Sequence, residues 1–488
     1  MEVTADVVVV GAGAAGAVLA GRLRALRPDL DVLVLEAGPT DRHPLVAVPF
    51  GLVWLMGSRR DWRYRTVPQA GLGGRRVKVP RGKGLGGSAS INSMVWFRGR
   101  RDDFDHWGPG WGWSDVEGAF EAVEAALRPA RLPDPHPLSE ALERVHGGPV
   151  DPERVSSGVL RTNMARGRRH SPVRAFLRGS GARVLTGAEV ERVEIAEGRA
   201  RAVLLSDGRR VGARAGVVLA GGAIGSPAIL MRSGVGPRAQ LARHGIGVAA
   251  QAEGVGANLH DHPAVAVHHE GPGSGYGLTW GQMPGWAMAP LALALGRGRL
   301  TSNTVEAGAF LGEGDRPFAQ IHFIPARLGH EAAIGWGAGY YADVCLMQPR
   351  SRGRLTLSGP RASDAPEIDF GLLADARDRA DLKRALGLLR GMLDGAPFGR
   401  RRAPEVFPGA GADLDAHLDA RVGTAYHPVG TVALQGPLDD RLAVRGVDRL
   451  WVADASVMPR ITSANTNAPS MMIGYRGAGM VAEGLGDR

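Results

Sequence analysis

The chain has 488 residues, 44% hydrophobic and 22% charged, which excludes a disordered chain and gives room for two or three domains of about 100–200 residues each. Its formal charge of +10 is almost wholly Arg, since Lys occurs only at Lys78, Lys83 and Lys383; the short runs Arg168–Arg169 and Arg400–Arg402 lack interleaved aromatics and read as solvated surface, not as a nucleic-acid site. The single Cys, Cys345, excludes an intrachain disulfide and a cysteine metal cluster.

No basic segment precedes the first apolar run, so the N-terminus does not read as a signal peptide and the chain reads as cytoplasmic. Residues 6–10 (DVVVV) are a short β-branched run, which predicts a buried strand. A Gly-rich turn follows, then a predicted helix from Ala14 to Leu26 and a second strand over 31–35 (DVLVL). These make a βαβ unit. Within it Gly11, Gly13 and Gly16 form G-x-G-x-x-G between strand and helix. Gly11 permits the tight turn, Gly13 lets a pyrophosphate approach the backbone, and Gly16 lets helix and strand pack closely. The helix N-terminus then meets the phosphate charge. Glu36 stands at the end of the second strand, where a carboxylate can accept from a ribose 2′-OH. The fingerprint alone leaves NAD and FAD both open.

Residues 128–150 are rich in Pro, Arg and His and read as a loop or linker. Apolar runs at 202–205, 217–220 and 450–453 predict further strands. Together with residues 6–10 they suit one sheet assembled from both ends of the chain. From about 263 to 424 the periodicity weakens, and this part reads as a second domain covering the first. Trp286 to Leu295 is the longest apolar stretch there. It is too short to span a membrane, for which about 20 residues are needed, and it holds Pro290, so a buried or interfacial helix is expected. No amphipathic anchor is evident, although peripheral membrane contact stays open.

Residues 81–92 (RGKGLGGSASIN) and 222–237 (GAIGSPAILMRSGVGP) resemble the two signature segments of the glucose–methanol–choline (GMC) oxidoreductase family. HPVGT at 427–431 and DASVMPRITSANTNAP at 454–469 are similar to its active-site region. Smaller matches are DWRYRTVPQ at 61–69, VGANLHDHP at 255–263 and VEAGAF at 305–310. The resemblance implies a mixed α/β fold. A Rossmann-like FAD-binding domain is expected from residues 1–262 and 425–488. An antiparallel sheet covered by helices is expected from 263–424 as the substrate-binding domain, and part of 40–165 is free to pack with it.

The resemblance also selects FAD. The dinucleotide end falls on Gly11, Gly13, Ala14, Ala15, Gly16, Glu36 and Ala37. Gly86, Gly87 and Ser88 offer backbone N–H groups to the flavin ring or pyrophosphate, and Gly84 is a cofactor-binding position of the same segment. Asn92, Ser93, Met94 and Val95 match residues beside the isoalloxazine, and Val190 matches a backbone contact to the adenine. Asp454 and Ala455 match residues near the ribityl and pyrophosphate, and Asn467 and Pro469 match backbone contacts to the flavin. Some relatives bear a His at the position of Ile91 and bond the flavin through it. Ile91 cannot, so non-covalent FAD is expected.

Oxidising an alcohol removes a proton from oxygen and a hydride from carbon. The flavin takes the hydride at N5, while the protein supplies a base of near-neutral pKa, usually His. By resemblance His427 is that base and Asn465 positions the substrate oxygen. Tyr426 reads as a pocket-lining or packing residue. His260 and His262 flank Asp261 and read as a structural stretch at the domain junction, not a metal site. Glu306 reads as a structural or solvent-facing acid, with recognition of a cationic substrate as the alternative. Met471 and Met472 read as helix core. The expected substrate is a small primary alcohol giving an aldehyde, with oxygen, a quinone or another carrier as acceptor. A cyanohydrin-cleaving lyase on the same scaffold is the alternative, and the fingerprint alone would also suit an NAD-dependent dehydrogenase.

Overall fold

A computed structural model describes residues 3–327 and 336–486. Strand β1 (Val3–Val10), helix α1 (Ala14–Leu26) and strand β2 (Val32–Glu36) form the expected βαβ unit. All of β2, and β1 from Ala5 to Val10, is buried. Strands this buried, apolar apart from Asp6 and Glu36, belong to a sheet covered on both faces. β1 lies parallel to β2 on one side and to the strand Arg210–Leu219 on the other, with Val10 opposite both Leu35 and Leu219. Arg183–Thr186 extends the sheet parallel to β2, and Leu450–Val452 runs parallel to Arg210–Leu219. An antiparallel pair, Val190–Ala196 and Arg199–Leu205, completes seven strands. The runs at 6–10, 202–205, 217–220 and 450–453 therefore share one sheet, drawn from both ends of the sequence.

The turn into α1 depends on glycine. Gly11 has φ +101°, and a Cβ at Gly16 would lie 2.1 Å from the Gly11 carbonyl oxygen. The helix can rest on the strand end only because that atom is missing. The last helix, Asn467–Leu485, crosses α1 closely; a Cβ at Gly474 would lie 2.3 Å from the Ala15 oxygen. Met471 and Met472 are fully buried in that helix, as expected of core residues.

The second sheet is antiparallel. In spatial order its main strands are Glu405–Phe407, Pro263–Glu270, Gly337–Leu346, Ala319–Ile324, Ala307–Leu311 and Ser156–Val159. Ser156–Val159 comes from the first half of the chain and pairs with Ala307–Leu311. The helix Ala376–Gly395 covers the sheet, burying Leu382, Leu386, Leu389 and Leu393. The Asp375 carboxylate caps its start by accepting from Arg377 N–H.

Three expectations change. Residues 128–150 are not all loop, because Pro137–His146 is a helix. His136 accepts from Leu138 N–H at its start, Pro137 occupies the first turn, and Leu138, Ala141 and Leu142 give it a buried stripe. Arg168 is solvated but Arg169 is not; it is 4% exposed and donates to the Val46, Ala89 and Asn92 carbonyls and to Asn92 Oδ1. The stretch from Trp286 holds two short helices, Met283–Ala287 and Ala289–Ala294, whose outer face is exposed, so the buried alternative fails. Among the described residues, no helix is long and apolar enough to cross a membrane.

Candidate active site

One cavity of about 1490 Å³ runs from the glycine turn of the first sheet to the inner face of the second. Small-molecule pockets usually hold about 300–1,000 Å³, so this space suits a dinucleotide and a substrate together. At one end Gly11, Gly13, Ala14, Ala15, Glu36, Ala37 and Val190 line it; at the other stand Tyr426, His427, His322 and Asn465. Gly87, Ser88, Asn92, Ser93, Met94, Val95, Asp454, Ala455 and Asn467 lie along its length.

Four proposed contacts do not line the cavity. Gly16 acts through packing, as described. Gly84 and Gly86, at φ +149° and +97°, shape the turn. Pro469 is buried in the first turn of the last helix. The expectation of N–H groups open at Gly86 and Gly87 also needs correction. Gly86 N–H donates to the Ala12 carbonyl and Gly87 N–H to the Gly84 carbonyl. Gly87 contributes closeness instead, since a Cβ there would lie 2.8 Å from Gly13 Cα. The two glycines bring the cavity walls together at the glycine turn.

Three features fit FAD. Neither α1 nor the helix Asn467–Leu485 has a side-chain cap at its N-terminus, and both starts face the cavity. Uncapped N–H groups and the helix dipole favour phosphate or carbonyl oxygens. Asn467 Nδ2 is buried with no hydrogen-bond partner among the described residues, as suits an amide awaiting an acceptor. Glu36 already accepts from Ala12 N–H at 3.1 Å and Gly38 N–H at 2.9 Å. These bonds fix its carboxylate at the cavity wall, where its remaining lone pairs can meet ribose hydroxyls.

The His427 end of the cavity is laced by backbone. His260 pairs with Val429 as an isolated antiparallel bridge, and Ala425 N–H donates to the His262 carbonyl. The HDH run and the HPVGT segment are thus held side by side. Asp261 receives His427 N–H on both carboxylate oxygens at 2.9 Å, and burial pushes its pKa up to about 7. His260 is structural, as expected; its Nδ1 bonds the Asn258 carbonyl and its Nε2 accepts from Ile461 N–H.

His262 does more than brace the junction. Its Nε2 lies 3.0 Å from the Thr462 carbonyl, which can only accept, so Nε2 carries the proton. Burial holds the His262 pKa down to about 3, so the ring is neutral and its Nδ1 is an acceptor. His427 Nδ1 lies 3.0 Å from that atom and must donate. Neutral His427 then has its lone pair on Nε2, which accepts from the Asn465 amino group at 3.0 Å. Asn465 Oδ1 in turn accepts from Gln320 at 2.9 Å. Burial first, then His262, His322 and Arg81, holds His427 well below its ordinary pKa.

The sequence reading missed His322 and Asp343. His322 Nδ1 meets Asp343 Oδ1 at 2.9 Å, and Nε2 meets the Asn465 amino group at 3.3 Å. Burial alone would lower its pKa, but the Asp343 charge and hydrogen bond raise it. The histidines flanking Asn465 are therefore tuned in opposite senses. His322 sits in a fully buried strand with no motif around it; its one signal is a charged type inside an apolar run. Tyr426 lines the cavity, has φ +67°, and is held by Arg81 donating to its carbonyl at 2.8 Å. Glu306 is structural: it is buried, bonded to Ser302, Ser139 and His136 N–H, and off the cavity.

Two sequence models described as GMC oxidoreductase match residues 5–264 and 349–474. The chain is 34% identical to "Alcohol dehydrogenase [acceptor]" of Pseudomonas putida, over 98% of this chain and 95% of that protein. It is 33% identical to "Oxygen-dependent choline dehydrogenase" of Rhizobium etli, over 97% and 95%. Among solved structures, pyridoxine 4-oxidase from Mesorbium loti superposes with a TM-score of 0.85 at 28% identity, covering 97% of this chain and 98% of that one.

Proposed function

The chain belongs to the GMC oxidoreductase family, and from that premise we propose that it oxidises an alcohol, a primary one to its aldehyde, using FAD held without a covalent bond. The observation that carries this reading is the unprotonated Nε2 of His427, set by His262 and met by Asn465, in the wall of a cavity that continues to the glycine fingerprint. When bound, FAD supplies the acceptor for the hydride leaving the alcohol carbon. His427 Nε2 takes the hydroxyl proton. The resulting imidazolium keeps its Nδ1–H bond to His262. Asn465 offers N–H to the substrate oxygen and holds it beside Nε2, with Gln320 and His322 fixing the amide from the other side.

Ile91 lines the cavity with no nucleophile, which supports dissociable FAD. The names of the two sequence relatives support an alcohol as substrate class. We read residues 1–262 with 425–488 as the cofactor domain and 263–424 as the substrate domain, with part of 40–165, including the strand Ser156–Val159, packed with the latter. Oxygen, a quinone or another carrier is the electron acceptor.

The test is acid precipitation of the purified yellow protein, followed by a panel of alcohols with aldehyde detection. FAD should appear in the supernatant, and one class of primary alcohol should yield its aldehyde. A protein that is colourless and takes up no FAD overturns the reading. Flavin that stays with the precipitate overturns the non-covalent assignment.

A further inference from the structure

The segment from Trp280 to Gly296 contains no Asp, Glu, Lys or Arg. It folds as a one-turn 3₁₀ helix, Trp280–Gln282, and the two short helices Met283–Ala287 and Ala289–Ala294. Its apolar side chains do not all turn inward. Among the described residues thirteen large apolar side chains are exposed, and five of them fall here: Trp280, Met283, Met288, Leu291 and Leu295, each 41% to 81% exposed. Trp336, also exposed, packs edge-on against Trp280 with ring centroids 5.2 Å apart. On the inner side Trp286 meets Phe50, which in turn meets the exposed Trp54. A contiguous apolar face of this kind marks an interaction surface.

The edge of the face is basic. Arg297 lies three residues beyond Ala294, the end of the second short helix, and is exposed. The hairpin of Met164–Ala165 and Arg168–Arg169 touches the same end, because a Cβ at Gly167 would lie 2.7 Å from the Gly296 oxygen. That hairpin presents Arg166 and Arg168 to solvent. None of these three guanidinium groups pairs with a carboxylate of a described residue. The one carboxylate bonded to the segment's end, Asp134, accepts from Gly298 N–H.

We propose that this face docks the protein on an anionic lipid surface. Short helices with Trp, Met and Leu on one side and Arg at the rim have the make-up of interfacial anchors. A protein partner is the weaker fit, since protein interfaces carry about one hydrogen bond per 100–200 Å². The polar side chain within this segment, Gln282, is already bonded to Gly275, Gly277 and Arg299. A bilayer asks for apolar area and positive charge without directed bonds. This inference does not depend on the substrate proposed above.

The test is co-sedimentation of the FAD-loaded full chain with phosphatidylcholine vesicles, with and without about 30% phosphatidylglycerol. Binding should require the anionic lipid and fall at high salt. Leu291→Asp with Leu295→Asp should weaken it at least tenfold. Arg166→Gln, Arg168→Gln and Arg297→Gln together should weaken it about 100-fold, roughly fivefold for each charge. Both variants should keep their flavin and their activity in solution. In the wild type, lipids brominated on the acyl chain should quench part of the Trp emission. That readout holds even if a variant fails to fold. Wild-type protein that stays in the supernatant, or Trp emission untouched by brominated lipid, overturns the proposal. So does a solution dimer that the Leu variant makes monomeric, which would place a second copy on this face.

Discussion

His262 and His427 meet through their Nδ1 atoms at 3.0 Å. One proton must lie between them, and the Thr462 carbonyl decides whose it is by claiming the other His262 nitrogen. His262→Phe removes the acceptor, keeps a ring in the space, and frees His427 to hold its proton on Nε2. We expect kcat to fall about 10- to 100-fold, part of the roughly 10²–10⁴ a general base contributes. KM and FAD content should change little. His262→Gln, which can still accept, should recover part of the loss. Equal rates in the Phe variant and the wild type would show that His427 does not depend on this bond.

The pH profile carries a second prediction. Burial and the neighbouring His262, His322 and Arg81 hold His427 well below 6.5, its ordinary value. A base whose pKa is lowered stays unprotonated further into acid. The acid limb of kcat/KM should therefore lie below pH 6.5. A limb at or above 6.5 would mean that His427 is not the titrating base or is not buried in this way.

Gly87 and Gly13 predict an effect on cofactor affinity. Gly87 has φ +52°, where a side chain costs roughly 1–2 kcal/mol. The added Cβ would also press on Gly13. Gly87→Ala should weaken FAD binding at least about tenfold, since 1.4 kcal/mol is a factor of ten. Fluorescence titration of the apoprotein measures it, and an unchanged Kd would remove Gly87 from the cofactor wall.

Arg169 offers a test of the Asn92 segment that lines the cavity. Burial lowers its pKa to about 9, and its guanidinium holds three backbone carbonyls and Asn92 Oδ1. Arg169→Met would leave these acceptors unpaired at about 1–3 kcal/mol each, offset in part by removing a buried charge. A lower urea midpoint and reduced flavin content should follow. Arg169→Lys should behave almost as badly, because an ammonium cannot span the same fork of acceptors.

The first sheet was legible because β1, α1 and β2 each declare themselves locally, through β-branched runs and a glycine turn. His427 and Asn465 were legible only through resemblance; with 14 His in the chain, neither periodicity nor spacing singles one out. The pairings of His262, His322 and Asp343 were not legible, because they join residues 21 to 200 positions apart. Pro137–His146 was mistaken for loop because its Pro and His, breakers elsewhere, here start the helix. Arg169 was mistaken for surface because only the fold separates it from Arg168.

The central claim is that His427 takes the alcohol proton in a protein that holds FAD. Anaerobic rapid mixing of the yellow protein with its alcohol, wild type beside His427→Ala, tests it most directly. The wild-type flavin should bleach, and the variant, with equal FAD content, should bleach about 10²–10⁴ times more slowly. Bleaching at the same rate in both would contradict it.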